Sequence, residues 1–190
     1  MQRYILTGAP GAGKTVLIRA LERAGHAVVE EAATDVIALV TGQGVDEHWK
    51  QPTFIDDIVA LQVRRERRAA TWPDDLVFFD RSPICTWALC EYADRTPPQR
   101  LVDEMARIER EATFQRQAFF VRNLGFVTPT EARRISFEET LRFEAIHEAV
   151  YRRLGYELIE IAPGPVERRL ATIVETVANQ QKRRGTTRSS

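Results

Sequence analysis

Residues 8–15 read Gly-Ala-Pro-Gly-Ala-Gly-Lys-Thr, between the apolar run Tyr4–Thr7 and a helical pattern that begins Val16-Leu17-Ile18. Gly8, Gly13, Lys14 and Thr15 meet the spacing G-x-x-x-x-G-K-[ST], in the strand-to-helix context that gives it meaning. The chemistry it suits is phosphate binding. Glycines at 8, 11 and 13 permit close approach and unusual backbone angles. Successive N–H groups then turn inward as an anion nest, and the following helix adds the positive end of its dipole. Gly8, Ala9, Pro10, Gly11, Ala12, Gly13, Lys14, Thr15 and Val16 are therefore the expected cradle for ATP. Lys14 supplies a mobile charge for the β- and γ-phosphates, and the Thr15 hydroxyl is a ligand for Mg²⁺.

A second group of residues decides what is done with the nucleotide. The strand-like run Val77-Phe78-Phe79 ends at Asp80, a position from which a carboxylate can hold Mg²⁺ through water. Motor and AAA+ ATPases usually place a Glu directly after that Asp to activate water. Here Arg81 follows, which disfavours hydrolysis as the main activity. After the second apolar run come Glu30 and Glu31. Adjacent side chains on an extended segment alternate faces, so only one of the two can aim at a site; Glu31 is preferred because Glu30 still belongs to the strand.

These groups need a scaffold that brings several chain segments to one edge. Strand patterns fall at 3–7, 26–30, 75–80, 117–121 and 156–161, and helical patterns at 15–24, 53–71, 84–93, 101–112, 128–155 and 166–181. A further mainly helical stretch follows the second strand, and 41–52, with two glycines and Pro52, reads as a loop. Such alternation predicts an α/β fold: a five-stranded parallel sheet between helical layers, in one domain covering 1–181. Residues 182–190 lack apolar anchors and are expected to form a disordered polar tail.

Composition narrows the function further. Lys+Arg and Asp+Glu balance at 27 each, so nothing overall favours a nucleic-acid partner. The basic run 63–68 lacks interleaved aromatics and reads as a solvated helix end. No apolar stretch reaches the ~20 residues of a membrane span, and no secretory leader is evident, so a cytoplasmic location is expected. Cys85 and Cys90 match no zinc or redox spacing, and His26, His48 and His147 form no metal motif. Oligomeric state is not legible.

The motifs at 8–15, 28–33 (Val-Val-Glu-Glu-Ala-Ala), 78–83 (Phe-Phe-Asp-Arg-Ser-Pro) and 144–161 together resemble a family of small bacterial P-loop proteins often labelled AAA-domain ATPases. Its best understood relatives are nicotinamide riboside kinase-like, and Asp-Arg-Ser after the third strand is similar to the motif of nucleoside and nucleotide kinases. The resemblance implies a three-layer α/β/α P-loop NTPase with sheet order 2-3-1-4-5. It implies transfer of the ATP γ-phosphoryl group to a hydroxyl of a small, nucleoside-like metabolite, with an ATP-hydrolysing switch or a non-catalytic nucleotide-binding protein as alternatives. Asp80 would contact Mg²⁺ or act as base, Arg81 would touch phosphate or acceptor, and Glu31 is the other candidate base. A lid around 122–138 would bring Arg133 and Arg134 onto the transferring group; Arg122 lies in the same window, with Gly125 and Pro129 as pivots. The turn 162–165 would receive the adenine, and Gln62 and Arg65 could reach the acceptor. Trp49, Trp72 and Trp87 are expected to pack rather than to stack on a ligand. Relatives often carry an Arg three residues after the second-strand Glu; here Thr34 stands there, which leaves the acceptor open.

Overall fold

Five short, β-branched or aromatic runs pair side by side in parallel: β1 (Gln2–Thr7), β2 (Ala27–Val29), β3 (Leu76–Asp80), β4 (Gln117–Val121) and β5 (Glu157–Ile161). Their order across the sheet is β2-β3-β1-β4-β5, as expected. The computed structural model describes residues 1–45, 47–124 and 136–187. Its helices are α1 (Lys14–Arg23), α2 (Ala32–Gly42), α3 (Phe54–Ala69), α4 (Pro83–Tyr92), α5 (Gln99–Glu111), α6 (Phe137–Arg153) and α7 (Val166–Thr187).

Alternation along the strands builds two cores at once. Tyr4 and Leu6 of β1 point to one face, where Leu17 and Leu21 of α1 and Ile173 and Val177 of α7 cover them. Ile5 points to the other face, with Val77 and Phe79 of β3, and packs among Ile84 and Ala88 of α4, Ile108 of α5 and Tyr151 of α6. A third apolar cluster joins α2 and α3 to α4 and α5 through Val36, Ile58, Val59, Cys90 and Leu101. Strands buried on both faces explain why the sequence shows continuous apolar runs such as Leu76-Val77-Phe78-Phe79. Trp72 and Trp87 pack against the second of these cores, as expected.

Several boundaries differ from the sequence reading, among them β2, which ends at Val29 and leaves Glu30 outside the strand. Helix α2 runs into the stretch read as a loop and ends at Gly42, and a 3-10 turn forms at His48–Lys50. Helix α7 continues past 181 to Thr187, because Gln180, Gln181, Lys182 and Arg183 are good helix formers. Helix α6 starts at Phe137, where Ser136 accepts from the Glu139 N–H and the Glu139 side chain accepts from the Ser136 N–H. That reciprocal cap fixes the helix start; residues 128–135 of the expected helix lie outside the described residues.

Parallel pairing aligns the carboxyl ends of the central strands. Leu6 of β1 lies in register with Asp80 of β3, and Thr7 with Phe120 of β4. The 8–15 loop and the segment after Asp80 therefore leave the sheet at the same edge, where ligands bind in open parallel sheets.

Candidate functional site

The loop 8–13 climbs from β1 and turns back into α1. Gly8 has φ 130°, and a Cβ there would collide with the Val121 carbonyl oxygen of β4, so glycine is required on both counts. Gly13 caps α1 in the left-handed region at φ 85°. Lys14, the first helical residue, is 6% exposed and curls back over the loop. Its Nζ donates to the Gly8 carbonyl at 3.0 Å and to the Ala9 carbonyl at 2.7 Å. Burial and the charge of Arg81 push the lysine down to about 7, against the opposing pull of Asp80 and Glu31. Thr15 and Val16 stand exposed on the first turn of α1.

Asp80 ends β3, 5% exposed and close enough to Lys14 to act on its charge. The chain then bends at Arg81, a non-glycine residue with φ 71°, whose N–H donates to the Leu6 carbonyl at 3.0 Å. A left-handed arginine is uncommon and costs on the order of 1 kcal/mol. The bend swings the guanidinium across to β2, where Nε donates to Glu31. The arginine also lies 5.7 Å over the Phe143 ring of α6. Glu31 accepts a second bond from the Thr34 hydroxyl at 2.7 Å. Burial pushes the Glu31 carboxyl up, but Arg81, Lys14 and its two hydrogen bonds prevail and hold it at about 2. Glu30 is exposed, and its carbonyl accepts from Arg65 at 2.9 Å, so Glu31 is the acidic residue that faces the loop.

Lys14, Glu31, Asp80 and Arg81 thus come together at one edge of the sheet, from three separate segments. Beside them a narrow recess is lined by Val29, Gln62, Phe79, Arg81, Ser82 and Phe114. Gln62 accepts from the Thr86 hydroxyl at 3.0 Å, and Arg65 pairs with Asp35, so both tie the walls of the recess together. The remaining sequence candidates fare differently. Arg122 is clamped by Glu144 (3.1 Å), Glu148 (2.6 Å) and Glu160 (2.6 Å) and lies over Phe120, which makes it an anchor below the edge. Arg133 and Arg134 lie outside the described residues, with Gly125 and Pro129. The turn 162–165 is exposed beside the first turn of α7.

Behind the loop lies a buried polar layer that motif reading missed. Tyr151 OH lies 3.1 Å from both Ser82 Oγ and Cys85 Sγ, and Cys85 Sγ lies 3.3 Å from Thr7 Oγ1. His147 is fully buried, stacked on Phe143 at 3.9 Å, with Nδ1 2.9 Å from the Phe143 carbonyl oxygen. Burial, with Arg81 nearby, lowers its affinity for a proton, so it is neutral and Nδ1 is the donor. Arg169 of α7 is buried as well and donates from Nη2 to the Ala12 carbonyl at 2.8 Å. A signal for the helical members existed: His147 follows Phe143 and precedes Tyr151 at four-residue steps, and Arg169 precedes Ile173 and Val177 in the same way. Polar residues on an apolar helix face are buried.

Oxygen donors at this edge suit a hard cation. Thr15 and Asp80 offer a hydroxyl and a carboxylate, and Mg²⁺ needs only one or two protein oxygens when it arrives with phosphates. Among the described residues no group of three or more His, Cys, Asp or Glu could hold a metal unaided.

A family model described as an AAA domain matches residues 3–169, and the chain belongs to that family. No curated protein sequence matches it. Among solved structures, a deoxyadenosine kinase from M. mycoides with products dCMP and a flexible dCDP superposes with TM-score 0.62 at 12% identity, covering 94% of this chain and all of that one. NadR in complex with NR gives TM-score 0.66 at 15% identity, and NadR with NAD and AMP-PNP gives 0.66 at 16%. This chain spans about half of NadR, 50% and 49% in the two structures. These likenesses establish the fold as that of P-loop nucleotide kinases.

Proposed function

We propose that this AAA-domain family member is a P-loop small-molecule kinase that moves the γ-phosphoryl group of Mg-ATP to a hydroxyl of a small, nucleoside-like acceptor. The observation that carries the reading is the Arg81–Glu31 pair seated beside Lys14 and Asp80. The residue after Asp80 is thus a cation engaged with the carboxylate of Glu31, at the start of α2, in place of a carboxylate free to activate water. A cation and a candidate base side by side suit transfer to an organic hydroxyl better than hydrolysis.

In the proposed reaction the loop N–H groups hold the phosphates, and Lys14 leaves the Gly8 and Ala9 carbonyls to meet them. Thr15 and Asp80 would hold Mg²⁺, which would help to neutralise the phosphate charge. The acceptor would bind beside Arg81, at the narrow recess that Gln62 and Phe114 also line, which would have to widen to admit it. Glu31 or Asp80 accepts the hydroxyl proton. Phosphoryl transfer through a loose transition state asks little of a base beyond position, so a carboxylate held near 2 is adequate. Arg81 stabilises charge on the migrating group, and Arg133 and Arg134 are the proposed lid arginines. No helix among the described residues is long and apolar enough to cross a membrane.

The test is ADP release from Mg-ATP with and without nicotinamide riboside, nucleosides, deoxynucleosides, nucleoside monophosphates, sugars or aminoglycosides. Acceptor-dependent ADP with a phosphorylated product is expected, and Lys14→Ala should abolish it. ADP formed at one rate regardless of acceptor would replace the kinase with an ATP-hydrolysing switch.

A further inference from the structure

Arg169 is 4% exposed, on the face of α7 that carries Ile173 and Val177 into the core. Its Nη2 donates to the Ala12 carbonyl at 2.8 Å, and its Nη1 lies 2.9 Å from where a Cβ on Gly13 would stand. Its Nε has no hydrogen-bond partner, and among the described residues no carboxylate forms an ion pair with it. The other two strongly buried cations at this edge are better satisfied: Arg81 has Glu31, and Lys14 has two loop carbonyls. Burying a cation with one neutral acceptor is unfavourable, and folds retain such a group where something else compensates it. What adjoins the guanidinium is the part of the loop that would face a nucleotide.

We propose that Arg169 is a positioning residue of the nucleotide site, with the bound polyphosphate as its counter-charge. It fills the space left by the absent Gly13 side chain and adds positive charge beneath the loop. Its bond to Ala12 holds that carbonyl away from the phosphates, so that the N–H groups of Gly13 and Lys14 turn toward them. Because Arg169 lies one turn into α7, it also couples the loop to the 162–165 turn. The inference rests on the nucleotide-binding reading above and adds a residue that lies outside the phosphate-loop motif.

A purely structural arginine and a nucleotide-positioning one respond oppositely to Arg169→Met, which keeps the apolar stem and removes the charge. Mg-ATP and Mg-ADP binding and thermal unfolding with and without nucleotide would be measured for wild type, Arg169→Met and Lys14→Ala. The expected result is an unliganded Arg169→Met protein melting at or above wild type, with nucleotide Kd raised at least ~10-fold. Wild-type affinity in that variant overturns the proposal, whether or not the variant is less stable. Should Arg169→Met not fold, Arg169→Lys carries the test. It retains the charge but cannot reach Ala12 and Gly13 together, and an unchanged Kd overturns the proposal. A wild-type protein that binds no nucleotide sinks the kinase reading and this inference with it. Tight wild-type binding that is lost only in Lys14→Ala leaves the first standing and removes the second.

Discussion

Lys14 illustrates how a single residue is tuned by its surroundings. Burial and Arg81 push its ammonium down to about 7, so near neutral pH the unliganded protein holds it partly deprotonated. Phosphates reverse that preference by adding negative charge. Between about 7 and the ordinary 10.5 the unfolded chain carries a proton that the native one lacks, so unliganded stability gains from this group as pH rises across the window. ATP binding is expected to show the opposite trend: affinity should fall as pH climbs through the window, and binding should take up protons. Calorimetry at pH 8 in buffers of different ionisation enthalpy would measure that uptake, and a buffer-independent heat would contradict it. Glu31 makes a second case. Glu31→Gln removes the charge that faces Arg81 and the candidate base while keeping the shape. Turnover should fall ~100-fold or more with nucleotide affinity within a few-fold of wild type. An unchanged rate would transfer the base role to Asp80.

At the scale of the element, the ends of β1, β2 and β3 each deliver one segment of the candidate site, and the helix that follows fixes it. The left-handed Arg81 lets β3 end in Asp80 and α4 start at Pro83 with only two residues between. Those two residues set the distance from β3 to the Glu31 carboxylate on the neighbouring strand connection. Helix α6 carries Phe143, His147 and Tyr151 behind the edge, so its placement supports the segment from Arg81 to Cys85. Its start depends on the Ser136–Glu139 cap. Ser136→Ala should cost about 1 kcal/mol of stability, read by denaturant unfolding. A loss near zero would mean that tertiary contacts of α6, not its cap, fix that end.

Across the whole molecule, the two faces of the sheet have different tasks. The α1–α7 face is apolar and holds the phosphate loop, whereas the opposite side carries an ion network. Glu66 of α3, buried, pairs with Arg3 of β1 and with Arg107 of α5 at 2.9 Å; Arg107 also reaches Glu104 at 2.7 Å. This network joins the sheet to the two helices that wall the recess. Glu66→Ala strips a carboxylate from two arginines, and unfolding should show a loss of about 3 kcal/mol. A loss below 1 kcal/mol would show the network to be solvated and dispensable. The run 63–68, read from sequence as a solvated helix end, therefore has a buried acidic residue within it, and its Arg65 binds the Glu30 carbonyl after β2 and Asp35 of α2.

The sequence by itself determined the layout. Apolar runs of strand length alternate with helical patterns because each element has to bury a face against the sheet, and Gly8, Gly13, Lys14 and Thr15 carry a local chemistry that needs only a strand-to-helix turn. The parallel α/β layout and the phosphate loop were legible for that reason, whereas the sheet order came only through the family resemblance. Only the tertiary structure decided which distant residues meet. It turned Arg81 onto the Glu31 carboxylate, gave Thr34 a partner in the same group and locked Arg122 among three glutamates. It also set Arg169 against Ala12, 157 residues away in the chain. Local spacing encodes backbone geometry over a few residues. Pairing between segments depends on strand register and helix packing, which no short motif contains.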